Sequence, residues 1–358
     1  MAKIKIETIT PVHIGSGELL KRDNDYVLFD GGESIGVIDE RKVLSLVGEE
    51  HINEWVSYIE RGESIKTLIN KYAAKAKIED WTKRIIDNYA ERCSSLKECI
   101  HDGMGRPYIP GSSIKGAIRT AVLSQLVKND KNLERFIERR VSAKEIEQYY
   151  FGADPNQDFF RFIQVGDAYF ESNVEVALNL VSLNIRSSHH DLLDESKSQP
   201  IEAINWENTA TFNLRFNRQQ YSLAQGRVKS IPTQIETLDS LFHTINAHTQ
   251  SLLQYELDFW NNEVDKSGAE DYLEKIEELL AELELCRNTH SCLLRIGHAS
   301  GWNFTTGAWS RRMRNFDDMV VPQSRPRNNK DYAEYPFPKT RRIIDDSGLL
   351  GFVKLTKL

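Results

Sequence analysis

The stretch Tyr108-Ile109-Pro110-Gly111-Ser112-Ser113-Ile114 constrains the local fold more than any other part of this chain. Proline disfavours helix in the residue before it, so Arg106 to Pro110 is extended. Gly111 then permits a tight turn, and Ser112 or Ser113 is placed to cap a following helix. That helix carries Ile114, Ala117, Ile118, Ala121, Val122 and Leu126 on one side, an apolar stripe that demands a partner surface.

The rest of the chain alternates between the two periodicities. Lys3 to Thr10 switches polar and apolar residues as a strand does, and runs into the two-glycine loop Pro11-Val12-His13-Ile14-Gly15-Ser16-Gly17. Tyr26 to Asp30 and Ser34 to Ile38 read as strands on either side of the Gly31-Gly32 turn. From Glu40 to about Ile100 the pattern is helical, with Ile78, Trp81, Ile85, Tyr89, Arg92/Cys93 and Leu96 recurring every three to four residues. Phe159 to Phe170, Val174 to Arg186 and Ala210 to Phe216 are strand-like. Ile235 to Leu285 is mostly helical and closes on the stripe Leu273, Ile276, Leu279, Leu280, Leu283. Leu293 to Gly307 is glycine-rich, residues 310 to 342 read as a basic irregular loop, and Gly351 to Leu355 is a last strand. Two β-rich stretches separated by helices predict an α+β protein.

The length of 358 residues suggests two domains, or one large domain with insertions. With 40% hydrophobic and 28% charged residues the composition is that of a globular chain, which excludes disordered and collagen-like classes. No apolar run is long enough to span a membrane, and the alternating N-terminus has no signal-peptide core. Cys93, Cys99, Cys286 and Cys292 fit no zinc-ligand spacing and are expected as reduced thiols in cytosol. The net charge of -7 argues against a basic footprint over the whole surface. The local balance differs: Arg295 to Leu358 holds twelve Lys/Arg against six Asp/Glu, and Glu256 to Glu284 eleven acids against two Lys. One segment is built to meet phosphate, the other to avoid it.

Three segments carry candidate binding chemistry. At the helix after Pro110, the first N–H groups of Gly111, Ser112 and Ser113, with Lys115 and Arg119 four apart, make a candidate phosphate seat. The plainer reading is a capped helix with two solvated cations. In Arg295-Ile296-Gly297-His298-Ala299-Ser300-Gly301-Trp302-Asn303-Phe304-Thr305-Thr306-Gly307, the glycines let backbone approach a ligand, Trp302 and Phe304 offer stacking faces, and Arg295 offers a phosphate contact; a turn-rich connection with core aromatics is the alternative. In the tail, Arg311, Arg312, Arg314, Arg325, Arg327 and Lys330 precede Pro338-Lys339-Thr340-Arg341-Arg342, interleaved with Phe316, Tyr332, Tyr335 and Phe337. Candidate catalysts are weaker. His13, His298, Asp23 and Asp25 lie in or beside loops and are more simply hydrogen-bonding or surface groups, and His189-His190-Asp191 is a poor chelate.

In their order along the chain, the Pro11–Gly17 loop, the segment from Tyr108 to Arg119, the loop Gly297 to Gly307, and Pro338 to Arg342 before Gly351-Phe352-Val353-Lys354-Leu355 resemble the RAMP superfamily of CRISPR proteins. Within it they look like the Csm-type subunit five of type III-A effector complexes. The resemblance implies two ferredoxin-like, RRM-like modules with helical insertions. They are expected at 1–172, with an insertion at about 40–105, and at 173–358, with a helical segment at about 235–285 and the glycine loop 297–307. It implies a non-catalytic cytoplasmic subunit without cofactor or metal. This subunit would bind the 3′ region of the CRISPR RNA, cap the backbone filament and support 3′-end maturation in antiviral defence. Implied partners are the CRISPR RNA, the backbone RAMP subunit and the small helical subunit, with a host nuclease as a further candidate and no membrane. The RNA-binding residues expected are His13, Gly15, Ser16, Gly111, Ser112, Ser113, Lys115, Arg119, Arg295, Gly297, Gly301, Trp302, Lys339, Arg341 and Arg342. The competing readings are a RAMP endoribonuclease acting through His13 or Asp25 and a scaffold whose basic tail meets a protein.

Overall fold

The computed structural model describes residues 2–90, 93–130, 142–185, 192–263, 268–313, 316–321, 336–345 and 348–358. In chain order the elements are β1 (Ala2–Thr8), β2 (Gly15–Lys21), β3 (Tyr26–Phe29), β4 (Ser34–Ile38), α1 (Glu40–Val47), α2 (Ile52–Arg61), α3 (Ile65–Tyr72), β5 (Thr82–Asn88), β6 (Ser95–Cys99), β7 (Tyr108–Ile109), α4 (Gly111–Asn129) and α5 (Ala143–Phe151). They continue with β8 (Ile163–Val165), β9 (Ala168–Tyr169), β10 (Glu175–Asn184), β11 (Leu193–Ile204), β12 (Thr209–Phe216), α6 (Arg218–Ala224), α7 (Leu238–Glu263), α8 (Glu270–Arg287), β13 (Ser291–Arg295), β14 (Thr340–Ile344) and β15 (Phe352–Lys357). The α+β expectation holds.

One sheet runs β13-β15-β1-β12-β8, every neighbouring pair antiparallel. Ile4 and Ile6 of β1 point inward, as the alternation predicts, and meet Ile114 and Ile118 of α4, Ile245 of α7, Phe212 of β12 and Leu355 of β15 in one core. Taken in chain order, β1, β8, β12 and β15 lie in the spatial order fourth-first-third-second, with α4 crossing between the first two. The second sheet runs β2-β6-β11-β10-β5-β4-β3, and β14 pairs with the far half of β10. Helices α1 to α3 cover its β3–β4 end through Val27, Ile38, Val43, Leu68 and Trp81. Strands from either side of residue 172 share both sheets, so the expected division there does not fall between them.

Three local expectations are corrected. The helix expected through Ile78–Leu96 is a short turn followed by β5 and β6. The three-to-four spacing joins residues of two cores: Ile78 and Trp81 pack with α1–α3, Cys93 and Leu96 join the sheet core around Ile35, and Tyr89 between them is exposed. Strand pairing with β4 overrides a short helical pattern rich in β-branched residues. Phe159–Phe162, expected as strand, is a 3-10 turn, and only Ile163–Val165 and Ala168–Tyr169 extend. Within the basic stretch, Thr340–Ile344 is a strand, paired with β10 from Leu183↔Arg341 to Leu180↔Ile344.

Candidate nucleic-acid interface

The loops singled out in the sequence meet at one end of the first sheet. Gly297 has φ +83, and a Cβ on it would stand 2.6 Å from the carbonyl oxygen of His13. The His298 N–H donates to that same carbonyl at 2.9 Å. Gly351 N–H donates to Pro11 O at 2.8 Å, and Ile296 N–H to Gly351 O at 2.8 Å. The His13 loop, the glycine-rich loop and the turn before β15 are therefore stitched together through backbone, and only glycine allows the approach at position 297.

Between this junction and α4 lies a cleft of 390 Å³. Its helical wall is Ser113, Gly116, Ala117 and Thr120, the small residues of α4; α7 adds His248 and Thr249, β13 adds Arg295, and the loop adds Ser300 and Phe304. His248 is buried and its Nδ1 has no hydrogen-bond partner. Burial, reinforced by the charge of Arg312, pushes its pKa down to about 4, so the ring is neutral. The Arg295 guanidinium donates to Leu350 O (2.9 Å) and Ala299 O (3.2 Å) and lies 4.2 Å from the Phe304 ring centre. Burial lowers its pKa to about 10. Arg295 thus lines the cleft held by neutral groups, as a fixed wall.

The cations of the α4 motif face the other way. Arg119 pairs with Asp158 (2.8 Å) and Glu147 (3.2 Å) and sits 3.8 Å over Phe151. Lys115 lies 5.9 Å from the Phe160 ring centre, where burial lowers its pKa. The expected phosphate seat is also already filled. The Gly111 N–H donates to Asp167 Oδ1 at 2.7 Å and Ser113 N–H to Pro110 O at 2.9 Å, and neither Ser112 nor Ser113 caps the helix. Gly111 is required by contact, since a Cβ there would lie 2.2 Å from Val165 O.

The tail is corrected in the same sense. Arg341 is buried and pairs with the buried Glu256 (2.6 Å), which also accepts from Tyr272 Oη (2.8 Å), Trp260 Nε1 (3.2 Å) and Asn303 Nδ2. Burial pushes the Glu256 carboxyl up, but the Arg341 charge and these donors outweigh it, and its pKa lies below the usual carboxylate value. Arg311 donates to Asn303 Oδ1 (2.7 Å) and Phe337 O (3.0 Å). Trp302 packs on Phe316 and Phe337, with ring centres at 5.6 and 5.1 Å. These groups brace the loop from inside. Arg342 donates to Ser182 Oγ, Lys197 O and Leu180 O, and Lys339, just before β14, is half-buried. Arg314, Arg325, Arg327, Lys330, Tyr332, Tyr335 and the His189-His190-Asp191 run lie outside the described residues.

Gly15 and Ser16 are exposed at the start of β2 rather than in a free loop, and Ser16 Oγ donates to Glu98 at 3.0 Å. Gly301 adopts φ 71, ψ 171, a region open to glycine. His13 is buried, its Nδ1 2.5 Å from Glu202 O, and burial brings its pKa to about 4. His298 meets it edge-on at 5.4 Å. Asp25 accepts from Lys21 N–H at 2.7 Å in the β2–β3 turn, and Asp23 lies 3.6 Å from Arg22. Glu98, His101 and Glu202 place one ligand atom each within 4.8 Å of one another. The cation between the two acids is the protein's own: Arg84 bonds Glu202 (2.6 Å) and Glu98 (3.0 Å), while His101 bonds Glu175 (2.7 Å).

Sequence reasoning missed two residues. His248 sits in a helix with no local motif. Lys97, in β6, projects its charge on both His13 and His298 and has no ion pair among the described residues. Arg312, one of the tail cations named from the sequence, is exposed and likewise has no ion pair among the described residues. The strand alternation around Leu96 would have placed Lys97 outward had β6 been recognised.

A family model described as RAMPs, RAMP superfamily, matches residues 5–304. A protein of Methanocaldococcus jannaschii named CRISPR system Cms protein Csm5 is 25% identical over 99% of this chain and 88% of its own length. A Csm5 of Streptococcus thermophilus is 24% identical over 36% of this chain and 40% of its own. In fold, the chain is similar to a chain of a Csm-crRNA-target RNA ternary complex of a type III-A CRISPR-Cas system (TM-score 0.76, 20% identity, 99% and 100% of the two chains). It is also similar to T. onnurineus Csm5 (TM-score 0.69, 17% identity, 98% and 99%). The motif order, the junction of the glycine loops and the family match over most of the sequence agree: the chain belongs to the RAMP superfamily, and its similarity within that superfamily runs to the Csm5 proteins.

Proposed function

We propose that this chain is the Csm5-type, non-catalytic subunit of a type III-A CRISPR-Cas effector complex. It holds the 3′ region of the CRISPR RNA, caps the backbone filament beside the backbone RAMP subunit and the small helical subunit, and supports maturation of the RNA 3′ end in the cytoplasm. The observation that carries this reading is the junction of three loops beside an open cleft, with the unpaired cations Lys97 and Arg312 at hand. Backbone, cations and small side chains suit an RNA whose sequence varies, because none of them reads base edges uniquely. The order of β15, β1, β12 and β8, with its crossover helix, supports a ferredoxin-like module, and we assign the second sheet to a second such module. No helix among the described residues is long and apolar enough to cross a membrane.

The test is titration of the purified protein with fluorescent single-stranded RNAs of equal length and unrelated sequence at several salt concentrations. Similar affinities that fall steeply with salt are expected. Strong discrimination between sequences, or binding insensitive to salt, overturns the reading. In cells, deletion of the gene should leave a complex whose RNAs have altered 3′ ends. The endoribonuclease alternative is disfavoured by His13, buried and bonded to a carbonyl, and by Asp25, which holds its own turn. Cleavage of labelled precursor or guide-paired target by the pure protein, with or without magnesium, would reinstate it.

A further inference from the structure

We infer that the gap between the far end of the first sheet and the start of α7 binds an acidic segment of a partner protein by taking in one large apolar side chain; this goes beyond the RNA-binding reading and does not depend on it. The strand register places the gap. Ala2, Ile4 and Ile6 share the core-facing side of β1, and where the two isoleucines fill the core, the methyl group of Ala2 leaves room. Ala2 pairs with Leu214, Ile4 with Lys357, and Phe216 with Ile163. The period of two then puts Lys357 on the same side as the buried Leu355, so its chain starts toward the core side at the sheet end. Helix α7 begins only at Leu238. A cavity of 510 Å³ is left, floored by Ile163, Leu214, Ile235 and Leu241, all members of the core below it. It lies at the Ala2 end of β1, about 20 Å of strand away from the loop junction that follows Thr8.

The rim and the floor select the occupant between them. Arg215, Arg218 and Lys357 line the mouth, against the single acid Glu236. Arg215 and Lys357 are exposed and have no ion pair among the described residues. Arg218 is held across the mouth: its guanidinium donates to Glu236 O at 2.8 Å and lies 5.8 Å from the Phe216 ring centre. Three cations around one acid favour carboxylates and turn away a basic segment. The floor is aliphatic and offers no donor or acceptor, so a nucleobase entering it would leave its polar edge unpaired. A leucine or phenylalanine side chain suits that floor, and aspartates or glutamates beside it in the same segment meet the rim. An apolar anchor in a pocket with charged groups around it is the arrangement from which protein interfaces draw most of their affinity.

The full chain and two variants, Ala2→Phe and Lys357→Glu, test this by fluorescence anisotropy. The probes are a fluorescein-labelled peptide Asp-Glu-Asp-Phe-Asp-Glu, the same peptide with Ala for Phe, and the same peptide with Asn and Gln for the acids. Wild type should prefer the Phe peptide over the Ala peptide by at least about tenfold, as burial of one aromatic side chain provides. It should bind the uncharged peptide severalfold more weakly than the acidic one. Ala2→Phe fills the gap from the core-facing side of β1 and should abolish the preference for Phe without lowering the melting temperature. Lys357→Glu should weaken both acidic peptides severalfold and leave the uncharged one unchanged. If Ala2→Phe melts early, Lys357→Glu, at an exposed position, decides. No binding of the Phe peptide by wild type at about 1 mM overturns the inference. A preference for Phe that survives in a folded Ala2→Phe protein, or acidic-peptide binding untouched by Lys357→Glu, overturns it too. Displacement of the peptide by an unlabelled single-stranded RNA would give these cations to RNA and overturn it as well; loss of RNA binding elsewhere on the molecule would leave the peptide result standing.

Discussion

Two regions of this molecule look alike in sequence and differ in the fold. The α4 motif with the glycine-rich loop, and the Pro338–Arg342 segment, both combine cations with aromatic or glycine-rich surroundings. The first pair encloses an open cleft with an unpartnered imidazole nitrogen. The second is closed on itself: Arg341 is only 6% exposed and its guanidinium faces a carboxylate that is fully buried. The difference lies in what stands next to each cation in the fold. Arg341 is in β14 and its guanidinium reaches Glu256 of α7, so a basic residue became a structural counter-ion. A cation in a sequence counts as surface charge only once its partner is known to be water.

The largest effect should come from breaking the closed region. Arg341→Ala leaves Glu256 buried among Tyr272, Trp260 and Asn303 without its counter-ion, and should cost about 3–5 kcal/mol, read as a denaturant midpoint. The sign of the pH dependence sharpens this. In the wild type the Glu256 pKa is depressed below 4.5, so its contribution is complete above that pH and is lost as pH falls through the folded value. In Arg341→Ala burial dominates and raises the pKa, and stability should instead fall as pH rises above about 4.5. An Arg341→Ala protein of wild-type stability would mean that the region is open to solvent.

Next in size is Gly297→Ala. The positive φ alone costs about 1–3 kcal/mol, and the Cβ also presses on the His13 carbonyl. Both the melting temperature and RNA binding should drop, because position 297 joins the loops that frame the cleft. A drop in binding with unchanged melting would show that the junction is not structural.

How far the sequence could carry these conclusions follows from the same residues. The Ile4/Ile6 alternation and the Ile114/Ile118 stripe announce their elements because each faces one core. The 78–96 stretch misleads because Trp81 and Leu96 serve two different cores, so its period mixes two geometries. Segment 108–119 was legible as an extended entry into a helix, but which of its faces lines the cleft was not. Its small residues line the cleft, while Lys115 and Arg119 turn to Phe160, Phe151, Asp158 and Glu147, partners between 28 and 45 residues away in sequence at the nearest and farthest. Local patterns record which face is apolar; they hold no record of which carboxylate reaches a given cation.

Arg119→Ala tests that reassignment and should have the third effect in size. It removes two ion pairs, both partly solvated, and a stacked guanidinium over Phe151, for a loss of about 1–2 kcal/mol. The salt slope of RNA binding should not change, since this charge is already matched by acids. A slope reduced by about 1, with stability intact, would return Arg119 to the RNA surface.

The smallest change in stability, and the clearest in binding, belongs to Lys97→Ala and Arg312→Ala. Neither cation has an ion pair among the described residues, and neither belongs to an apolar core, so each substitution should move stability by no more than about 0.5 kcal/mol. Each should lower the salt slope of RNA binding by about 1 if its charge meets a phosphate. The two residues flank the junction from different elements, Lys97 toward His298 and Arg312 toward His248, so their effects should add in the double variant. Additive slopes with an unchanged melting curve place the strand across the loop junction, from the second sheet to the cleft. A slope that responds to Lys97 alone confines the strand to the His298 side, and the cleft then loses its claim to RNA.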